Sequence, residues 1–170
     1  MQPSYHDAGF LGAEVPVYNI ADFCNATDTQ DLLVRNVRLG AALASCFSAS
    51  NTTYANGTDI TGAPAHVVVQ QQNRGLVIVG PDIVSAVTRA VYTQENVRNQ
   101  TNGVLLAGLA GAAGQPASAG GAVQYLTPCE RQDSNFNGSS VGYLRPWTLW
   151  LRRTEADGFY HNSLGSPLSS

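Results

Sequence analysis

Two short apolar runs lie side by side in the middle of the chain. Val67-Val68-Val69 and Leu76-Val77-Ile78-Val79 are separated by the polar stretch Gln72-Asn73-Arg74-Gly75. β-Branched residues suit a pleated, half-buried surface, and Asn and Gly supply the positive φ that a tight turn needs, so the pattern predicts a hairpin. Gly80-Pro81-Asp82 then stops the run. Pro81 has no amide hydrogen, and the Asp82 carboxylate can accept hydrogen bonds from the free amides of a starting helix. Ile83, Val87, Ala90, Val91 and Gln94 follow at helical spacing, with Ser85, Thr88, Arg89 and Glu95 between them. This predicts a helix that turns its valine stripe inward and shares a buried face with the hairpin.

The flanking segments are less regular. Residues 1–26 carry Phe10, Leu11, Val15, Val17, Tyr18, Ile20 and Phe23, but Pro3, Gly9, Gly12 and Pro16 break every period. They read as an extended arm lying across its own domain or another subunit. Thr27 and Gln30 have capping-box spacing, and Leu32, Leu33, Val37, Ala41, Ala44 and Phe47 fit a helical stripe, so a helix is expected from residue 27 to 47. A strand competes, because Leu33, Val37, Leu39, Ala41 and Leu43 are all odd-numbered. Residues 48–64 and 130–140 read as polar loops. Between 101 and 121 a short buried helical turn at Val104-Leu105-Leu106 and Leu109 should give way to a flexible Gly/Ala loop from Gly114 to Gly121. Ala122 to Leu126 reads as a strand ended by Pro128. Tyr143 to Arg152 reads as an edge strand, since Pro146 cannot donate to a ladder. Asp157-Gly158 then turns the chain back through Phe159-Tyr160.

Together these elements predict an α+β fold. It would have a mostly antiparallel sheet, one or two packed helices and an extended N-terminal arm (1–26) on a single domain (27–170). An all-β sandwich results if the helical segments are strands instead.

Composition narrows the function classes. Only 12% of the 170 residues are charged and the net charge is −3, against about 25% charged in an average domain. All nine basic residues are arginine. Without lysine, a P-loop, a kinase strand lysine and a pyridoxal Schiff base are excluded in their usual forms. The scattered arginines offer no concentrated basic patch, so nucleic acid is not the expected main partner. Cys24, Cys46 and Cys129 read as small apolar core residues, one disulfide with a free thiol being the alternative. The opening MQPSYHDAGF has neither a basic nor an apolar leader region, and no stretch is long and apolar enough to span a bilayer.

Candidate chemistry is sparse. His6, His66 and His161 could combine with Asp82, Asp157 or Cys129 only through the fold. Glu155 and Asp157 form a carboxylate pair in a turn. Asp133, Asn135, Asn137 and Gly138 match the first half of a calcium loop, but the position of its bidentate Glu is Leu144. No catalytic residue, metal ligand or cofactor is therefore assigned. Phe10, Leu11, Tyr143, Arg145, Trp147 and Trp150 are the expected interface residues, because aromatic side chains and Arg anchor contacts. The resulting expectation is a non-enzymatic structural subunit of a virus or phage particle, in a homo-oligomer or a mixed assembly with other protein subunits. Two alternatives stand beside it. One is an extracellular glycan- or protein-binding domain, suggested by the Asn-x-Ser/Thr triplets at Asn25, Asn51, Asn56, Asn99 and Asn137. The other is a hydrolase built on Cys129 and a histidine.

Overall fold

A computed structural model describes residues 1–53, 59–114, 123–137, 140–161 and 163. The hairpin forms where the pattern puts it. Strands β4 (Val68–Gln71) and β5 (Gly75–Ile78) pair antiparallel, with Val69 opposite Val77. The turn between them holds Asn73 at φ 58° and Gly75 at φ 146°, the left-handed region that Asn and Gly tolerate best. A two-residue strand, β1 (Val17–Tyr18), runs parallel to β4 on its other side and completes a mixed three-stranded sheet. A separate antiparallel pair, β2 (Ala49–Thr53) and β3 (Asp59–Pro64), lies within the segment expected as a loop. With four α-helices among the described residues, the fold is α+β. The larger sheet is mixed, not mostly antiparallel, and the chain is no all-β sandwich.

The N-terminal segment is not an extended arm. It folds into 3-10 helices at His6–Leu11 and Ile20–Phe23, and it supplies β1. Ala8, Phe10, Leu11 and Val15 form a buried cluster with Val68; Tyr18 and Ile20 form a second with Leu39 and Val69. The glycines and prolines that break periodicity here permit tight turns around a core instead of an open strap.

Helix α1 (Val37–Ser45) starts ten residues later than the capping-box spacing suggests. Asp28 and Asp31 spend their carboxylates locally, Asp28 accepting from the Asn25 amide at 2.7 Å and Asp31 from the Leu33 amide at 3.1 Å. Arg38 and Arg35 pair with them. Such side-chain-to-backbone bonds compete with helix formation, and Leu32 sits at φ 64°. The cap is Asn36, whose Oδ1 accepts from the Leu39 amide at 2.9 Å.

Helix α2 (Ile83–Ala112) begins at Asp82 as expected, with its carboxylate accepting from the Ser85 amide at 2.7 Å. Gly80 must be glycine for this entry, since a Cβ there would lie 2.7 Å from the Ala86 nitrogen. Two features differ from the sequence pattern. The helix continues through the Gly/Ala segment to residue 112. Its orientation is also reversed: Ser85, Thr88, Thr93 and Asn96 are buried, whereas Ile83 is 75% exposed. Val104, Leu105, Leu106 and Leu109, expected as a buried turn, are 53, 59, 65 and 67% exposed. Full burial of one such side chain is worth about 1.5–3 kcal/mol, so this face leaves a large apolar driving force unused.

The C-terminal part is helical where strands and a loop were expected. Residues 123–127 are irregular, and Leu126 donates its amide to the Pro3 carbonyl instead of joining a sheet. Pro128 opens helix α3 (Pro128–Asn137), in the first-turn position where its missing amide costs nothing. Thr127 and Glu130 form a reciprocal cap: the Thr127 amide donates to Glu130 at 2.7 Å, and the Glu130 amide donates to Thr127 Oγ1 at 3.3 Å. Tyr143 to Arg152 lies in helix α4 (Ser140–Ala156), with Pro146 inside it. The aromatic spacing Tyr143, Trp147, Trp150 satisfies a helical repeat as well as a partial alternation, and local contacts favour the helix. Of the flexible loop expected from Gly114 to Gly121, residues 115–121 lie outside the described residues, as do Ala122, Asn56 and Gly138.

Leu39 is 2% exposed at the centre of the second cluster. Leu39→Ala is expected to cost about 2–5 kcal/mol, and Asn36→Ala about 1 kcal/mol through the lost cap; urea unfolding checks both, and equal costs would contradict the assignment. The amide hydrogen bond from Ser85 holds the Asp82 carboxyl below its ordinary range. A depressed native value stabilises the fold above the unfolded value of about 3.9, and that contribution fades as pH falls through the native value. The stability gap between wild type and Asp82→Ala should therefore be constant near neutrality and shrink below about pH 4, as followed by urea midpoints across pH.

Candidate functional site

The hairpin turn and the middle of α2 enclose an open groove of about 620 Å³. Leu76, Val97, Val104 and Leu105 form its apolar wall. Gln70, Gln71, Asn73, Gln100 and Thr101 line the remainder with neutral donors and acceptors, and Met1 closes one side. A second groove of about 540 Å³ lies toward α1, among Leu33, Val34, Arg35, Leu43 and Val77. Both grooves are lined in part by Gln71 and Arg74, so Arg74 stands between them. Its Nη1 donates to the Leu32 carbonyl at 2.8 Å, and among the described residues no carboxylate pairs with it. The turn fixes the base of this side chain and the Leu32 contact orients it, while the charge remains available. A groove with one uncompensated guanidinium, several amides and an apolar wall suits a ligand that is largely apolar and carries or develops one negative charge.

Beneath the groove, the inward face of α2 forms a polar seam against the N-terminal segment and α4. The Asn96 side chain is fully buried; its Nδ2 donates to the Gln2 carbonyl at 2.9 Å, and its Oδ1 accepts from the Ser4 amide at 2.7 Å. Arg89 Nη1 donates to the Val79 carbonyl at 2.6 Å. Tyr5, Tyr92 and Trp150 form an aromatic row with successive centroid distances of 6.1 Å. Burial pushes the Tyr143 phenol above its ordinary value, while the nearby Arg89 guanidinium draws it back down. Among the described residues the Tyr143 hydroxyl nonetheless meets no partner in hydrogen-bonding geometry, nor do the hydroxyls of Thr88 and Thr93. Thr88, Thr93, Asn96 and Tyr143 of this seam are buried in the interior.

The residues expected at an interface are placed differently. Phe10, Leu11 and Tyr143 are buried in the chain's own core. Trp147 and Trp150 are half-buried, Trp150 against Tyr92, and Arg145 is exposed. All three cysteines are free; Cys24 and Cys46 are half-buried beside the Tyr18 cluster, whereas Cys129 is exposed on α3. Among the described residues no hydrogen bond joins Cys129 to a histidine, and His6 instead contacts Asp7 at 3.0 Å on the surface. Asp133 and Asn135 lie within helix α3, not in a loop of the calcium-binding kind. No group of three or more His, Cys, Asp or Glu able to hold a metal occurs among the described residues. Arg74 read in sequence only as a turn residue. Its signal is the run Gln70-Gln71-Gln72, which places amides on both faces of a short strand where alternation would place one apolar face.

No family model matches the chain. It is similar to the decarboxylase tropJ of Talaromyces stipitatus. The two are 36% identical over 163 residues, which is 95% of this chain and 56% of the relative. The chain thus spans about half the length of the curated relative it matches. This likeness overturns the expectation of a non-enzymatic virion or phage subunit, because the relative is named for an enzymatic reaction and nothing in the match points to a particle. The binding-domain and hydrolase alternatives fall with it. The misreading has a physical source: low charge, apolar irregular segments and long polar stretches describe a chain with surface to cover, whatever covers it.

The unpartnered Tyr143 hydroxyl gives a direct check on the seam. Tyr143→Phe removes a buried group without a hydrogen bond and is expected to leave stability unchanged or raise it by up to about 1 kcal/mol. Tyr143→Ala, by contrast, is expected to cost about 3–5 kcal/mol. Thermal unfolding distinguishes the two, and a large loss from Tyr143→Phe would show that the hydroxyl is partnered.

Proposed function

We propose that this chain forms part of a decarboxylase and that the groove at Arg74 receives the acid. The observation that carries the reading is the 36% identity to the T. stipitatus decarboxylase along 95% of the chain. In decarboxylation the bond from carbon to the carboxylate breaks, CO2 leaves, and its electron pair passes to an acceptor in the substrate. A proton then replaces the lost carbon. Negative charge therefore leaves the carboxylate and builds on the acceptor oxygen. A guanidinium on the carboxylate itself would stabilise the ground state and slow the reaction, whereas on the acceptor it stabilises the transition state. The favoured pose sets the carboxylate against Leu76, Val97, Val104 and Leu105, where it is poorly solvated. The acceptor oxygen then lies at Arg74, with the neighbouring glutamine amides as further donors. With no lysine in the chain, no lysine side chain here supplies a Schiff-base electron sink, and the reading places the charge stabilisation on Arg74.

The test is release of ¹³CO2 from the carboxyl-labelled acid on which the T. stipitatus enzyme acts. Arg74→Leu is expected to lower kcat about 10²–10³-fold, the usual loss for one such donor. Arg74→Lys should retain part of the rate, because it keeps the charge but loses the fork. Unchanged turnover in Arg74→Leu would sink the proposed role.

A further inference from the structure

We infer that the groove toward α1 is a second binding site, for an organic monoanion with an apolar body, and that its occupation switches off the first groove. The site stands on the geometry of the hairpin alone, whereas the switching rests on the decarboxylase reading. Leu76 and Val77 are successive residues of β5, and successive side chains of a strand point to opposite faces. Leu76 lines the first groove and Val77 the second, so the two grooves lie on opposite faces of the hairpin and meet at its turn.

Three features define the ligand. Leu33, Val34, Leu43 and Val77 give the second groove an apolar wall, which suits an apolar body. Arg35 and Arg74 line it as well. Arg35 is already paired with Asp31, so one positive charge remains, and it calls for a single negative one. Gln71 is only 9% exposed, yet among the described residues its side-chain amide has no hydrogen-bond partner. A buried amide without a partner is costly, and a carboxylate seated between Gln71 and Arg74 would accept from both. Arg74 already leans to this side: its Nη1 donates to the Leu32 carbonyl at 2.8 Å, and Leu33 and Val34 of the wall follow directly in the chain. One charge then serves two grooves. An anion in the second groove neutralises Arg74 and leaves little of its field for the acceptor oxygen in the first. Occupation therefore acts on turnover as Arg74→Leu does. It does not fill the first groove, so excess substrate does not relieve it.

Hexanoate is the probe, and hexanol its neutral match. Binding of each to the full chain at neutral pH is followed by amide chemical shifts, and the effect on ¹³CO2 release is measured with the labelled acid. Hexanoate is expected to bind about 10–100-fold more tightly than hexanol, the worth of hydrogen bonds to a charged group. It should shift the amides of Leu33, Val34 and Leu43 and leave those of Val97, Gln100 and Thr101 in place. Arg74→Leu should bring the two probes to equal affinity. Gln71→Met exchanges an unpartnered amide for an apolar chain of similar length. It should weaken hexanoate about tenfold while thermal unfolding stays as in wild type. Hexanoate should lower kcat and leave KM unchanged. Four results would overturn the inference: no hexanoate binding at millimolar concentration, hexanol binding as tightly as hexanoate, shifts confined to Val97, Gln100 and Thr101, or inhibition that excess substrate relieves. Hexanoate bound in the second groove of a wild-type chain that releases no CO2 supports the site and counts against the decarboxylase reading alone.

Discussion

The first four residues tie together three distant parts of the chain. The Met1 carbonyl accepts from the Val15 amide at 3.2 Å, and the Pro3 carbonyl accepts from the Leu126 amide at 2.9 Å. Between them the Asn96 side chain takes the Gln2 carbonyl and the Ser4 amide. A buried backbone group without a partner costs about 1–3 kcal/mol. Here one asparagine satisfies two of them at once and is itself fully buried. This clamp accounts for the inward position of Asn96: the N-terminal segment brings backbone groups with no strand beside them, and the Asn96 side chain answers two of them. It also sets Met1 on the edge of the groove.

Orientation of α2 then decides what remains outside. Ser85, Thr88, Thr93 and Asn96 are buried along the first half of α2, whereas Val104, Leu105, Leu106 and Leu109 in its C-terminal half are each more than half exposed. The N-terminal segment supplies the apolar core that α2 does not, through Phe10, Leu11, Tyr18 and Ile20. Groove, guanidinium and exposed face are consequences of the same arrangement. The turn holds Arg74 against Leu32, and the rotated helix presents Val97, Val104 and Leu105 to it.

Local signals were legible in the sequence where short-range chemistry alone determines structure. The 72–75 turn and the Asp82 cap depend on residues three or four apart, and both form as read. The facing of α2 was not legible. Its valines and its polar residues each make a plausible stripe, and the choice depends on Gln2 and Ser4, more than ninety positions away. The helix at 128–137 had a readable signal in Thr127-Pro128-Cys129-Glu130, but Pro128 also reads as a strand end. Helix α4 was ambiguous because its aromatic spacing fits two periods and Pro146 argues against either. The candidate site was the least legible feature. Arg74 is an ordinary turn residue until the fold sets α2 beside it, and no periodicity encodes the absence of a carboxylate partner.

Everything above depends on the N-terminal segment being clamped to α2. The Ser4 amide reports that contact directly, since its hydrogen points at Asn96 Oδ1 across 2.7 Å. Its hydrogen-exchange rate, measured residue by residue in wild type and in Asn96→Ala, is the most direct measurement. The account predicts strong protection of Ser4 in wild type, comparable with core amides of β4, and loss of that protection in Asn96→Ala while β4 stays protected. Exchange of Ser4 at the rate of an unstructured peptide in the wild-type protein would contradict it.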